Sequence, residues 1–351
     1  MKIQNRKISI NHPPFIIAEI SANHNKSIKR TLQLIKEAKK AGADAAKFQH
    51  FSADTIVSND SFRKFKKLSH QASWKQSVYK VYSKASLNLS WTPILKKECD
   101  KIGIDFFTSP YSFDLVDHVD KYVPAYKIGS GDITWIEIAR YIAKKNKPYI
   151  VATGASDLSD VMRIYNACYK INKKISLMQC NTNYTADISN LNYINLNVLK
   201  TYKKLFPKAI LGLSDHTHGH ATVLGAIALG ARIVEKHFTL DNKLKGPDHK
   251  FSMNPKTWSE MIKNARELES SLGVEKKNIE KNEKESIIVQ RRSIHTSQDL
   301  KKNQKIKKSH LKYLRPCPKN GIQPFQFKKI IGKKLKRNIK INNLITFKDL
   351  Y

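Results

Sequence analysis

AILGLSDHTHGHATVLGAIALGARIVEKHFTL, residues 209–240, carries the pattern that decides the fold. A short apolar run, AILGLSD (209–215), ends in polar residues. GHATVLGAIALG then begins a helix, and a second apolar run, RIVEKHF (232–238), follows it. Nearly continuous apolar runs suit strands covered on both faces, and a helix between two such runs suits parallel neighbours. Three histidines, His216, His218 and His220, stand here at every second position. Strand periodicity would put all three on one face; helical periodicity would align only His216 with His220. The strand ends near His216, so His218 and His220 are expected to face away.

The same unit recurs through the chain. The other runs are FIIAEIS (15–21), AAKFQHF (45–51), IDFFTSP (104–110), AYKIGSG (125–131), YIVATG (149–154) and ISLMQCN (175–181). Amphipathic stretches such as SIKRTLQLIKEAKKAG (27–42) lie between most of them, with apolar residues three and four apart. Eight such units over about 270 residues predict an α/β fold, a closed (β/α)8 TIM barrel. An open doubly wound sheet is the alternative, but no GxGxxG follows the first run. The aromatic segment from Ser52 to about Leu89 predicts a lid or helical insertion. The expected domains are a barrel over 1–272, a charged linker over 273–288 and a small mixed module over 289–351. That module has two similar halves, each with a turn before a short helix.

Bulk properties narrow the function. The chain has 351 residues, and its net charge is +35. Its lysines are spread from end to end rather than interleaved with aromatics on one face, which argues against nucleic acid as partner. A diffuse positive field would instead draw in a small anion. No apolar run has the length of a membrane span, and the first residues lack a signal-peptide pattern. Four cysteines without CxxC spacing suggest a reducing, cytoplasmic setting.

In a barrel, the C-terminal ends of the strands form the reactive mouth. The run ends supply Glu19, Ser21, Asn23 and His24; Lys47 and Gln49; Thr108 and Ser109; Lys127, Ser130 and Asp132; Asn181, Thr182 and Tyr184; Ser214, Asp215 and His216; Glu235, His237 and Thr239. Lys47 and Lys127 interrupt apolar runs, and a buried ammonium needs an anion. With Ser109, Ser130 and Ser214 nearby, that anion is expected to be a phosphate or carboxylate ligand. Structural ion pairs with Glu19 or Asp132 are the alternative. His216 and His237 close neighbouring strands, where two imidazoles can share one divalent ion and leave positions for water and substrate.

Together these blocks closely resemble the sialic acid (nonulosonic acid) synthase family. FIIAEISANHN, GADAAKFQ, YKIGSGD, GLSDHT, ALGARIVEKHFTLD and GPDHKFSM look like its barrel motifs. RRSIHTSQDLKKNQKI, YLRPCPKNGI and IGKKLKRNI resemble its C-terminal antifreeze-like (SAF) domain. The resemblance implies a cytoplasmic transferase of carbohydrate biosynthesis that condenses phosphoenolpyruvate with an N-acetylated aldose such as N-acetylmannosamine. It also implies a divalent metal, manganese first, with magnesium or cobalt as alternatives, and a domain-swapped homodimer. By position, Lys47, Ser109, Lys127, Ser130, Thr182 and Ser214 would hold phosphoenolpyruvate, and His216 and His237 the metal. Gln49, Asp132, Tyr184 and Asp248 would surround the sugar with Glu19, and Arg315 would reach the N-acetyl group in a partner's site. Glu19 is the carboxylate expected to orient or deprotonate metal-bound water.

Two departures bear on the substrate. Asp132 stands where many synthases have Glu, and CNTNYTA differs from the commoner CTxxYP. SANHN is closer to pseudaminic acid synthases, GPDHK to those of neuraminic or legionaminic acid. A pseudaminic or legionaminic acid synthase acting on a 6-deoxy diacetamido aldose is therefore the alternative. Two rivals are a Schiff-base aldolase using Lys127 or Lys47, and a degenerate barrel whose basic C-terminal module binds polyanions.

Overall fold

A computed structural model describes residues 1–65, 68, 71, 72 and 74–351. The chain divides into two compact units, Met1–Gly273 and Val274–Tyr351. In the first, eight parallel strands form a closed barrel: β1 (Phe15–Glu19), β2 (Ala45–His50), β3 (Asp105–Pro110), β4 (Tyr126–Ile128), β5 (Tyr149–Ala152), β6 (Ile175–Cys180), β7 (Ile210–Asp215) and β8 (Ile233–His237). Each lies within one of the eight predicted runs. β8 closes the ring on β1, from Ile233 opposite Phe15 to His237 opposite Glu19.

The alternation of side chains along each strand explains both the stability and the site. Inward residues at the N-terminal end are apolar: Phe15, Ile17, Ala45, Phe107, Ala125, Ile150, Met178 and Ile233 form one buried cluster. Ile3 and Ile8, from a short N-terminal hairpin (Lys2–Ile3 with Arg6–Lys7), join it and floor the barrel. Burying a side chain the size of Phe107 stabilises by about 1.5–3 kcal/mol. One step further toward the C-terminal end, the inward residues become polar, and that change places the site. Outward residues such as Ile16, Ala46, Val151 and Val234 pack under the helices.

The first helix, Ile28–Lys40, shows how the sequence sets its limits. Ser27 accepts a hydrogen bond from the backbone N–H of Arg30, and Gly42, at φ +96°, turns the chain toward β2. Leu34, Ile35 and Ala38 form the buried stripe, and Leu34→Ala would cost about 2–5 kcal/mol.

Between β2 and β3, the expected insertion contains helices Ala53–Ile56, Asn59–Lys64 and Val78–Ala85. Part of that expectation, at residues 66, 67, 69, 70 and 73, falls outside the described residues. No helix is long and apolar enough to cross a membrane among the described residues.

The second unit begins in the charged stretch, whose end is not a plain linker: Lys284–Gln290 is helical. Its core gathers Ile294, Leu300, Ile306, Ile322, Ile330, Leu335, Ile339, Ile345 and Leu350. The internal repeat is visible in the backbone. Asn303 and Asn342 both have φ +64°, and each is followed by a buried isoleucine (Ile306, Ile345) and a 3-10 turn (Lys308–His310, Phe347–Asp349). The short helices expected there are these single turns.

Candidate active site

At the C-terminal ends of the strands lies a cavity of about 630 Å³. Glu19, Lys47, Gln49, Ser109, Lys127, Ser130, Asp132, Thr182, Tyr184, Ser214, His216, His237 and Asp248 all line it. Of the site residues expected from sequence, only Arg315 lies elsewhere: it is exposed on the second unit. Other polar strand ends serve the scaffold. Asn23 bonds the carbonyl of Phe238 and the hydroxyl of Ser252, while Thr108 bonds His50. Asp215 faces outward and pairs with Lys236 at 2.5 Å, with Thr217 and Thr222 completing its shell.

Parity and register bring four charges together at the cavity floor. Glu19 on β1 sits opposite Lys47 on β2, and their side chains form an ion pair. Lys127 on β4 pairs with Glu235 on β8 at 2.7 Å. Glu235 also lies 3.6 Å from Lys47 and 3.4 Å from the Ser214 hydroxyl, and Lys47 donates to Ser109 at 3.3 Å. Sequence reading considered Glu19 and Asp132 as lysine partners. Glu19 is one; Asp132 is not, because it sits beyond the strand on a 3-10 turn (Ser130–Asp132).

Burial pushes the Glu19 carboxyl up to about 7, against the pull of Lys47. Burial pushes Glu235 up as well, but Lys127 and Lys47 outweigh it and hold that carboxylate below its ordinary range. Lys47 is held above its ordinary value, because Glu19 and Glu235 outweigh the burial that lowers it. Lys127 is lowered by burial despite Glu235. A buried charge persists only with such partners, so the four groups form a prearranged cluster of two ammoniums and two carboxyls.

Above them stand the two imidazoles, with ring centroids 5.3 Å apart. Burial lowers His216 to about 4 and takes His237 well below the usual imidazole range, so both are neutral near pH 7. The Nδ1–H of His216 donates to the carbonyl of Asn181 at 2.8 Å, which leaves the Nε2 lone pair for another ligand. The Nδ1 of His237 is buried without a hydrogen-bond partner among the described residues, 3.9 Å from Asp248. Tyr184 and Phe251 wall the pair, at 4.3 Å from His216 and 4.9 Å from His237 respectively. Two neutral imidazoles, one with an orphaned nitrogen, fit a divalent ion. Among the described residues no group of three His, Cys, Asp or Glu side chains has metal-ligand spacing, so these two imidazoles are the donors the cavity offers. As expected, His218 is exposed, and His220 bonds Asn264 at 2.8 Å, away from the pair.

The upper wall is suited to a polyhydroxylated ligand. Asp132 is raised to about 6 by burial, and Asp248, also raised by burial, accepts from the backbone N–H of Ala22 at 3.3 Å. Trp74, Val81 and Tyr82 of the insertion line this side. Beside Ser130 the backbone comes close: the N–H of Gly154 donates to the Ser130 hydroxyl at 3.0 Å. A Cβ at Gly154 would meet Thr182 at 2.6 Å, Ser130 at 2.9 Å and Cys180 at 3.0 Å.

Sequence reasoning puts Glu235 at a strand end but gives it no role, and it passes over Tyr111 and Tyr82, which also line the cavity. The signal for Glu235 was its parity: two residues before His237, it had to face the same way.

Comparisons with known proteins agree with this architecture. The profile of the NeuB family matches residues 34–277, and that of the SAF domain matches residues 291–350. The N,N'-diacetyllegionaminic acid synthase of Campylobacter jejuni is 33% identical, over 94% of this chain and 98% of its own. The pseudaminic acid synthase of the same organism is also 33% identical, over 94% and 95%. The crystal structure of N-acetylneuraminic acid (sialic acid) synthetase from Leptospira borgpetersenii, in complex with citrate, superposes with a TM-score of 0.72 at 27% identity. It covers 82% of this chain and 94% of its own.

Proposed function

The chain belongs to the NeuB family of nonulosonic acid synthases, and on that premise we propose that it joins phosphoenolpyruvate to an N-acetylated aldose such as N-acetylmannosamine. With water, the products are a nine-carbon keto acid and phosphate. The observation that carries this reading is the convergence of Lys47, Lys127, His216 and His237, from in or just past the C-terminal ends of four separate strands, on one cavity.

The chemistry follows from the groups present. Lys47 and Lys127, with the hydroxyls of Ser109, Ser130, Thr182 and Ser214, offset the charge of the phosphate and carboxylate. Holding both reactants removes much of the entropic barrier. C3 of the enol phosphate attacks the aldehyde carbon, and the new hydroxyl takes up one proton. Positive charge develops at C2, next to the carboxylate, and water adds there. The C2–O bond to phosphate then breaks, leaving the ketone, and the second proton of that water leaves with the phosphate. Gln49, Asp132, Tyr184 and Asp248 hold the sugar hydroxyls. His216 and His237 would hold a divalent ion, manganese first, with magnesium or cobalt as alternatives. When bound, that ion supplies Lewis acidity to the aldehyde oxygen.

Arg315, on resemblance alone, is assigned to the N-acetyl group in the cavity of a second copy, which makes the working unit a domain-swapped homodimer. Formation of pseudaminic or legionaminic acid from a 6-deoxy diacetamido aldose is the second reading. It is favoured by the activities named for the two Campylobacter relatives.

The test is phosphate release from phosphoenolpyruvate with a panel of aldoses: N-acetylmannosamine, its 6-phosphate and 6-deoxy diacetamido relatives. Release that requires one of them supports the reading and identifies the sugar. No release with any aldose, in the presence of manganese, refutes it. Borohydride trapping with a keto acid would reveal the rival Schiff-base chemistry.

A further inference from the structure

We propose that Glu235, rather than Glu19, orients the water that adds to C2 of the enol phosphate. The inference rests on the synthase reading above and assigns one step within it.

The two buried carboxylates of the floor differ in what their oxygens already do. Both oxygens of Glu19 already have a partner: Oε1 accepts from the backbone N–H of Ser21 at 2.8 Å, and Oε2 pairs with Lys47. A water held by Glu19 would have to share an oxygen that already serves its own loop or its lysine. Glu235 concentrates its structural contacts on one oxygen. Oε1 faces Lys127 at 2.7 Å, Lys47 at 3.6 Å and the Ser214 hydroxyl at 3.4 Å, while Oε2 is buried with no hydrogen-bond partner among the described residues. An unsatisfied buried carboxylate oxygen is costly to maintain, and a polar ligand that supplies the missing donor removes the cost. Water is the donor the reaction itself brings.

Position agrees with that role. Glu235 lies beside Ser214 in the β7–β8 register and one inward step below His237. It therefore stands between the groups assigned to the phosphoester and those assigned to the aldehyde. C2, bonded to the phosphate oxygen and adjacent to the carbon that attacks the aldehyde, must lie in that interval. As the water adds, its oxygen bonds to C2. One of its protons ends on the new hydroxyl and the other on the departing phosphate, so the carboxylate serves as an acceptor that aims the water and is not consumed.

Glu235→Gln keeps the shape and one carbonyl oxygen for Lys127, but turns the second position from an acceptor into a donor. The expected result is a kcat at least 100-fold lower, with the dissociation constant for phosphoenolpyruvate, measured by calorimetry, within about threefold of wild type. Glu235→Asp retains a carboxylate one methylene shorter and should lose less kcat at unchanged affinity; it also serves if the Gln variant does not fold. Either of two results overturns the assignment: kcat within threefold in the Gln variant, or a tenfold weaker affinity that accounts for the loss, meaning that Glu235 only props the lysines. A wild-type chain that releases no phosphate with any aldose overturns the synthase reading together with this one.

Discussion

Lys127→Met separates the two things the buried charge cluster does. Lys127 and Glu235 are 2.7 Å apart, with side chains 3% and 7% exposed. Removing one partner of a buried pair costs about 3–5 kcal/mol, mainly because the other charge is stranded. Methionine refills the volume of the lysine stem, so little cavity cost is added. Lys47, 3.6 Å from Glu235, still offsets part of the stranded charge, which places the loss at the lower end, about 3 kcal/mol. Adding Glu235→Gln removes the stranded charge and should restore about 2 kcal/mol of that. Turnover should follow a different course. Loss of one ammonium against the phosphoester corresponds to about 1.5–3 kcal/mol of charge-assisted hydrogen bonding, or about a 10- to 100-fold rise in KM for phosphoenolpyruvate. The double variant should not recover it. The assay pairs urea unfolding of the barrel transition with phosphate-release kinetics on the same preparations. A single variant as stable as wild type would refute the buried-pair reasoning. A double variant with a wild-type KM for phosphoenolpyruvate would refute the assignment of Lys127 to the substrate anion.

Further expectations follow from other parts of the site. His216→Ala and His237→Ala should each abolish phosphate release and weaken manganese binding by calorimetry, while the circular dichroism melt changes little; retained turnover without divalent metal would remove the ion from the scheme. Gly154→Ala would drive a Cβ to 2.6 Å from Thr182 and 2.9 Å from Ser130, so KM for phosphoenolpyruvate should rise at least tenfold with KM for the aldose unchanged. His50 is held near 3 by burial, between Thr92 and Thr108. Because its folded value lies below the unfolded one of about 6.5, its contribution is complete above pH 6.5 and is lost as pH falls toward 3. The slope is about 1.4 kcal/mol per pH unit. Urea midpoints should therefore fall from pH 6.5 to 4.5, and His50→Gln should flatten that fall; His24 and His249, each lowered to about 4 by burial, add to it in wild type.

Most of this site could be read from the chain because a parallel barrel simplifies the problem. Its strands are covered on both faces, so β1 to β8 stand out as apolar runs, and the polar residue that ends each run faces the mouth. Lys47 and Lys127 were conspicuous as ammoniums inside such runs, and His216 and His237 as ends of adjacent strands. What sequence could not provide was pairing across the barrel. Lys127 and Glu235 are 108 positions apart on strands that are not neighbours, and no local spacing reports their contact. Asp132 was a plausible partner by proximity in sequence, but the 3-10 turn carries it away from Lys127. The helix Lys284–Gln290 was hidden for a different reason: its apolar residues, Ile287, Ile288 and Val289, are consecutive, so no three- and four-residue spacing marks it. The N-terminal hairpin escaped because its two strands have only two residues each, too short for periodicity to show.

The central claim is that the cavity breaks the C2–O bond of phosphoenolpyruvate after a carbon–carbon bond has formed. Turnover in water enriched in oxygen-18, with mass spectrometry of the released phosphate, tests it most directly. The expected products are phosphate free of label and a keto acid enlarged by the aldose. Label in the phosphate would mean that water attacked phosphorus, and the cavity would then be a phosphatase site rather than a condensing one.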